Sequence, residues 1–213
     1  LGKLARPMAE ERIGHGGGTK PYLAMVTSPA DMARMVALAN QSDRRRYMAV
    51  CPTTQPDAPV QVMFNVLNRH SYIRPHRQLF PPNHRSRYLV LSGAAVVVIF
   101  DRTGEVVWAE RVMSVGSSGA SETTPFVSDI PGELFHTVVP LCDGTVVYSV
   151  KSGPYSGSPE TDKEWPEWAP DEKDASVATA YLDRLLDALK GVIESGDAFR
   201  SDPNISTIDR FPE

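Results

Sequence analysis

Cysteine is scarce in this 213-residue chain: only Cys51 and Cys142 occur, far apart and without C-x-x-C spacing. That excludes a disulfide framework and makes a reducing, cytoplasmic setting the expectation. Long apolar runs are missing as well. The longest candidate, Tyr88 to Phe100, is interrupted by Ser92-Gly93 and falls short of the roughly 20 apolar residues that a membrane helix needs. Basic charge is not in excess either. The net charge is −4, and the one basic cluster, Arg44-Arg45-Arg46, reads as a solvated or salt-bridged face. A nucleic-acid footprint needs far more clustered cations. Residues 1–24 are polar, contain Gly16-Gly17-Gly18, lack the apolar core of a signal peptide and are expected to form a flexible arm.

What the chain does contain is β structure between two helices. Ser28 suits a helix cap, Pro29 the first helical position and Asp31 the positive end of the dipole, so a helix is predicted from there to about Asn40. Short runs rich in Val, Ile, Phe and Tyr follow: Val60–Leu67, Tyr72–Gln78, Arg87–Leu91, Ala94–Phe100, Val106–Val112, Val127–Ile130, His136–Val139 and Thr145–Lys151. Turn signals such as Ser92-Gly93, Asp101-Arg102-Thr103-Gly104 and Cys142-Asp143-Gly144 separate them. Short strands at this spacing, with no helices between, predict an antiparallel double-sheet jelly roll. Alternation puts Tyr72, Arg74, His76 and Gln78 on one face, and Ser86, Tyr88 and Val90 on another. Ser114 to Thr124 reads as a mobile loop. The Pro/Trp-rich stretch Gly153 to Pro170 is expected to strap over the barrel by its rings. An amphipathic helix over about Ala175 to Ile193 then docks on the barrel or on a second subunit. The predicted organisation is an arm (1–24), a barrel with its leading helix and strap (25–170), and a terminal helix with tail (171–213).

Several segments, taken in order, resemble a known family. They are Arg44-Arg45-Arg46, Tyr72-Ile73-Arg74-Pro75-His76-Arg77, Leu89-Val90-Leu91-Ser92-Gly93, Val97-Val98-Ile99-Phe100-Asp101 and Ile130-Pro131 with Phe135-His136-Thr137. The closing ones are Val150-Lys151, Gly153-Pro154-Tyr155, Asp162-Lys163 and Trp168-Ala169-Pro170. Together they resemble the cupins, and within them the WbuC-type cupin metalloproteins. The resemblance implies a mainly β double-stranded β-helix, the cupin jelly roll, with an N-terminal and a C-terminal helix. It also implies a metal held by H-x-H and a Glu on one hairpin and a His on the other. Carried over, the first histidine is His76 and the last His136. The second histidine becomes Gln78, the glutamate becomes Ser86, and the glycine three residues before the last histidine becomes Glu133.

His76 and His136 supply two imidazoles where a divalent Zn, Fe, Ni or Mn wants three or four ligands. Gln78 is a weaker neutral donor. His84 shares parity with Ser86 and is a candidate inward ligand, and Glu133 is a candidate at the barrel mouth. Arg74 is placed to clamp a ligand carboxylate or phosphate, with Tyr72, Tyr88 and Ser86 beside it. Two readings of the histidines stay open: a metal-bound pair, or a metal-free pair acting as general acid and base near their ordinary pKa. His15 and His70, in the arm and a turn, are given no role. The functional expectation is a small-molecule enzyme, an oxygenase or isomerase, acting on a small polar metabolite. The alternative is a non-catalytic degenerate cupin that binds a small ligand or scaffolds a homodimer. Segment 79–85 is a candidate lid.

Overall fold

The computed structural model describes residues 27–51, 57–79, 84–154, 162–202 and 204. The arm (1–24) and residues 80–83 of the expected lid lie outside them. Helix α1 (Pro29–Asn40) begins as the sequence predicts. The Ser28 hydroxyl accepts a hydrogen bond from the Asp31 amide and the Asp31 carboxylate accepts one from the Ser28 amide, a closed capping box.

Two antiparallel sheets follow. The first runs β1 (Arg46–Val50), β2 (Val60–Leu67), β9 (Thr145–Ser152), β4 (Arg85–Ser92), β7 (Val127–Pro131) in spatial order. The second runs β11 (Phe199–Arg200), β6 (Val106–Met113), β5 (Ala94–Phe100), β8 (Phe135–Pro140). A small ribbon of β3 (Arg77–Gln78) and β10 (Lys163–Glu164) joins the second sheet through a His76–His136 bridge. This is the double-sheet jelly roll expected from the strand pattern.

The seven apolar residues of β5 are all buried because both its faces are covered. Ala95, Val97 and Ile99 meet Leu67, Val90, Val138 and Val147 between the sheets. Val96, Val98 and Phe100 face outward beneath Leu182, Leu185, Leu189 and Val192. Those last four come from α2 (Ala175–Ala188), α3 (Lys190–Ser195) and Leu189 between them, so the terminal helix docks on its own barrel. Helix α1 covers the outer face of the first sheet at Phe64, Val66 and Val146. Gly93 makes the β4–β5 turn at φ 79°, and a Cβ there meets Thr145 Oγ1 at 2.7 Å, so no other residue fits without displacement.

Three expectations need correction. The strand predicted over Tyr72–Gln78 shrinks to His76–Gln78, because Pro75 has no amide to offer a ladder and the chain before it is irregular. The terminal helix is interrupted at Leu189, which is fully buried at the corner between α2 and α3 with φ −89° and ψ 1°. The strand β1 was not anticipated, since its alternation is weak and Met48 and Val50 face solvent at a sheet edge. The basic triplet is salt-bridged: Arg44 and Arg46 reach Glu172 at 3.2 and 2.6 Å, and Arg45 reaches Asp143 at 3.2 Å.

Leu189 is 1% exposed, and Leu189→Ala is expected to lower unfolding free energy by about 2–5 kcal/mol in urea titrations. A loss within error of zero means that the helix does not dock on this barrel.

Candidate functional site

The site is built where the two sheets are stitched together. His76 and His136 exchange backbone hydrogen bonds, N–H to O at 3.1 and 2.9 Å, and their ring centroids lie 5.0 Å apart. Each ring is oriented by its own chain. His76 Nδ1 donates to the Arg74 carbonyl at 3.0 Å and His136 Nδ1 to the Leu134 carbonyl at 2.8 Å. A carbonyl accepts only, so both Nδ1 atoms carry hydrogen and both Nε2 atoms keep their lone pairs in the neutral state. The Tyr88 hydroxyl donates to His136 Nε2 at 3.1 Å.

These groups border a cavity of about 110 Å³ between the sheets. His76, Gln78, Ser86 and Tyr88 line it, as do Asn65 and Ser149, whose side chains share a 2.8 Å hydrogen bond. Apolar wall is supplied by Met63, Leu67, Ile73, Val138 and Val147. Ser86 Oγ is buried with no partner of normal hydrogen-bond geometry among the described residues, although it lies near enough to Tyr88 to favour that hydroxyl's ionised form.

Two lysines complete the wall. Lys151 sits on β9 directly across from Ser86 on β4. Lys163 sits on β10 across from Gln78 on β3. The outward neighbours of that ribbon, Arg77 and Glu164, pair at 2.6 Å and fasten it. The Leu79 amide donates to the Asp162 carbonyl at 2.9 Å.

Burial sets the protonation states. It pushes His76 well below its ordinary value, and the nearby Lys163, His136 and Lys151 push the same way. His136 is lowered to about 4 by burial, against the opposing pull of the Leu134 carbonyl. Both imidazoles are neutral at pH 7. Tyr88 is raised to about 12 by burial, so it keeps its proton. Lys163 falls to about 8, by burial first and then by Lys151. Lys151 is lowered by burial, with Asp162 opposing.

The structure brings together His76, His136, Gln78, Ser86 and Tyr88. Arg74 and Tyr72 do not join them. Arg74 turns outward to Asp171 at 3.3 Å and the Ala169 carbonyl at 3.0 Å, because the irregular backbone at Pro75 breaks the alternation. Tyr72 packs under α2 against Tyr181 and donates to the Pro170 carbonyl at 3.0 Å. Ile73 takes the inward place instead, its carbonyl accepting from Thr137 Oγ1 at 2.7 Å. Glu133 is exposed in the β7–β8 turn and away from the cavity wall. His84 is buried, but it lies against Gly132, where a Cβ would fall 1.8 Å from His84 Nε2.

The donor set does not fit a divalent ion. Among the described residues no three His, Cys, Asp or Glu side chains converge. His76, an amide and hydroxyl groups share the wall with two lysines, and a cation placed there is repelled by both, with no carboxylate among the described lining residues to offset them.

Residues 27–112 match the family model described as "Domain of unknown function (DUF6016)". That span holds His76, Gln78, Ser86 and Tyr88, and stops short of His136 and both lysines. No curated protein matches the chain. Solved structures do. KdgF from Halomonas sp. is 17% identical over 53% of this chain and 82% of its own, with a TM-score of 0.38. A salicylate 1,2-dioxygenase mutant from Pseudoaminobacter salicylatoxidans, with gentisate, is 11% identical over 66% of this chain and 37% of its own, TM-score 0.46. An RmlC-like cupin from Desulfovibrio desulfuricans is 15% identical over 52% of this chain and 85% of its own, TM-score 0.37. The strand order of the two sheets is that of a double-sheet jelly roll.

The two lysines were missed in the sequence. Lys151 was within reach, since it shares parity with Val147 and Ser149 on a predicted strand. Lys163 was not, because a Pro/Trp-rich strap has no period from which to read a face.

The buried imidazoles predict an acid-labile fold. His136 titrates at about 4 when folded and near 6.5 unfolded, so the unfolded chain binds more protons between those values. Stability therefore falls as pH drops through that window, by roughly 3 kcal/mol for His136 alone, with His76 adding in the same direction. Urea unfolding measured from about pH 7 to 4 checks this. A flat profile means the rings are not held neutral.

Proposed function

We propose that this chain is a metal-independent, cupin-type small-molecule enzyme that moves protons on a small polar metabolite inside the barrel. The observation that carries the reading is the neutral histidine pair, with both Nδ1 atoms tied to backbone carbonyls, His136 Nε2 accepting from Tyr88 and His76 Nε2 left as a base. His76 Nε2 accepts a proton from carbon or hydroxyl in the cavity. The Tyr88 hydroxyl, hydrogen-bonded to His136 Nε2 in the free protein, turns to give one to the substrate, and the proton taken by His76 then restores the Tyr88 hydroxyl. A base and an acid lining one small space are what an isomerisation of a hydroxy- or keto-compound requires. Burial helps, because proton transfer between groups held fixed in a small buried cavity needs little reorganisation. The WbuC-type kinship belongs to the same proposal and rests on the segments around His76, His136 and the strap. Non-catalytic ligand binding is the second reading, favoured by the replacements at Gln78 and Ser86.

Two measurements decide. Protein purified without chelator should carry far less than one transition metal ion per chain, and Zn, Fe, Ni or Mn should leave its melting temperature unchanged. One tightly held ion per chain would overturn metal independence. Deuterium uptake from D2O into small hydroxy- and keto-compounds, followed by proton NMR, should occur for at least one compound. His76→Gln and Tyr88→Phe should each slow that exchange by about 100-fold or more. Exchange unaffected by either substitution removes the proposed base and acid, and binding without exchange selects the non-catalytic reading.

A further inference from the structure

Lys163 is a side chain that the fold goes out of its way to place. Its strand is two residues long, and the Arg77–Glu164 pair at 2.6 Å and the Leu79–Asp162 backbone bond at 2.9 Å hold it on the rim of the barrel. The result is a half-buried lysine facing the cavity opposite Gln78. Among the described residues, no hydrogen bond or salt bridge engages its ammonium, and its neighbours act on it only through space. Lys151 stands on the facing sheet across Ser86.

The charge balance of the cavity is therefore positive. Its lining includes Lys151, Lys163 and, at the mouth, Arg87, which Asp129 already holds at 3.0 Å. No Asp or Glu lines it among the described residues. Asp162 lies close enough to act on both lysines, and Glu172 acts on Lys163 from a place where Arg46 binds it at 2.6 Å. Asp162 and Glu172 act on Lys163 only through space, and a partly buried cation is costly unless an anion joins it.

We propose that the pocket takes small carboxylates, with Lys163 as the anchor for the ligand's carboxylate and the apolar body lying against Leu67, Ile73, Val138 and Val147. The size fits. About 110 Å³ is well below the range of about 300–1,000 Å³ for drug-sized ligands, which leaves room for a short-chain acid and excludes a sugar nucleotide. The wall fits as well, since one end carries ammonium, amide and hydroxyl groups and the other carries aliphatic side chains. Ser86 Oγ, without a well-formed bond of its own, donates to the second carboxylate oxygen. This inference rests on the pocket of the proposed function and names its substrate class.

Matched pairs test it: propionate, isobutyrate, isovalerate and benzoate against the corresponding amides, by thermal shift and by ligand-observed NMR on the full chain. Carboxylates should raise the melting temperature, and the amides should not. Lys163→Gln should weaken the best acid at least tenfold, Lys163→Arg should keep most of the affinity, and Lys151→Gln should weaken it less than Lys163→Gln. A melting curve of each free variant shows that it is folded. Amides that bind as well as acids, or Lys163→Gln binding unchanged, overturn the carboxylate anchor and leave the proton-transfer pocket standing. No binding by any acid also overturns the anchor, whereas loss of deuterium exchange with acid binding intact overturns the enzyme reading instead.

Discussion

Two backbone hydrogen bonds between His76 and His136 are the constraint on which the rest of this site depends. They close the jelly roll at the point where the irregular segment before β3 meets β8. Because the residues are paired directly, their rings enter the interior side by side, 5.0 Å apart. Each ring is then locked by a carbonyl two residues earlier in its own chain, so tautomer and orientation follow from backbone geometry rather than from a neighbouring carboxylate. The same pairing fixes Gln78, and through Gln78 it fixes the register of β10 and the position of Lys163. One bridge thus sets four of the polar groups of the cavity.

The electrostatics follow from how deeply the interior groups are buried. Neutral imidazoles are tolerated there because each Nδ1 hydrogen has an acceptor, and Tyr88 stays protonated because burial disfavours its charged form. Lysines are not so readily accommodated, and both have lowered pKa values as a result. Gln78 and Ser86 bring no negative charge to the positions where the sequence resemblance implies a histidine and a glutamate. The presence of Lys151 and Lys163 then reverses the polarity of the space. A pocket that repels cations attracts anions, so the neutral Gln78 and Ser86 and the two lysines act in the same direction.

Much of the fold was legible because its signals are local. The Ser28 cap, the β5 run buried on both faces and the Gly93 turn each require little beyond neighbouring residues. His76, Gln78, Ser86 and Tyr88 reached the cavity wall as the two-residue period requires. Arg74 and Tyr72 did not, since a period has meaning only within a continuous strand and Pro75 ends this one. His84 kept its parity, yet its ring packs on Gly132, a contact set by a turn from another hairpin. Lys163 was invisible because its inward direction is imposed by Arg77 and Gln78, far away in sequence.

The strap is also tied to the rest of the barrel at several points distant from the pocket. Trp168 packs against Phe100, Phe135 and Tyr181 with ring centroids 5.2, 6.0 and 6.5 Å apart, joining strap, second sheet and α2. Glu172 is bound by Arg44 and Arg46 and accepts from the Arg74 amide at 3.1 Å. That ties the chain just after the strap to β1 and to the segment leading to His76. These contacts are aromatic and ionic at half-buried positions, where each contributes modestly alone and more as a network. Their position matters more than their sum. Arg74, which the alternation placed in the pocket, is used to hold the strap at Asp171 and Ala169, and the strap in turn presents Lys163 to the cavity. The cation of the pocket therefore comes from the strap and not from the strand of His76, so the charge of the site depends on the docking of a segment outside the two sheets.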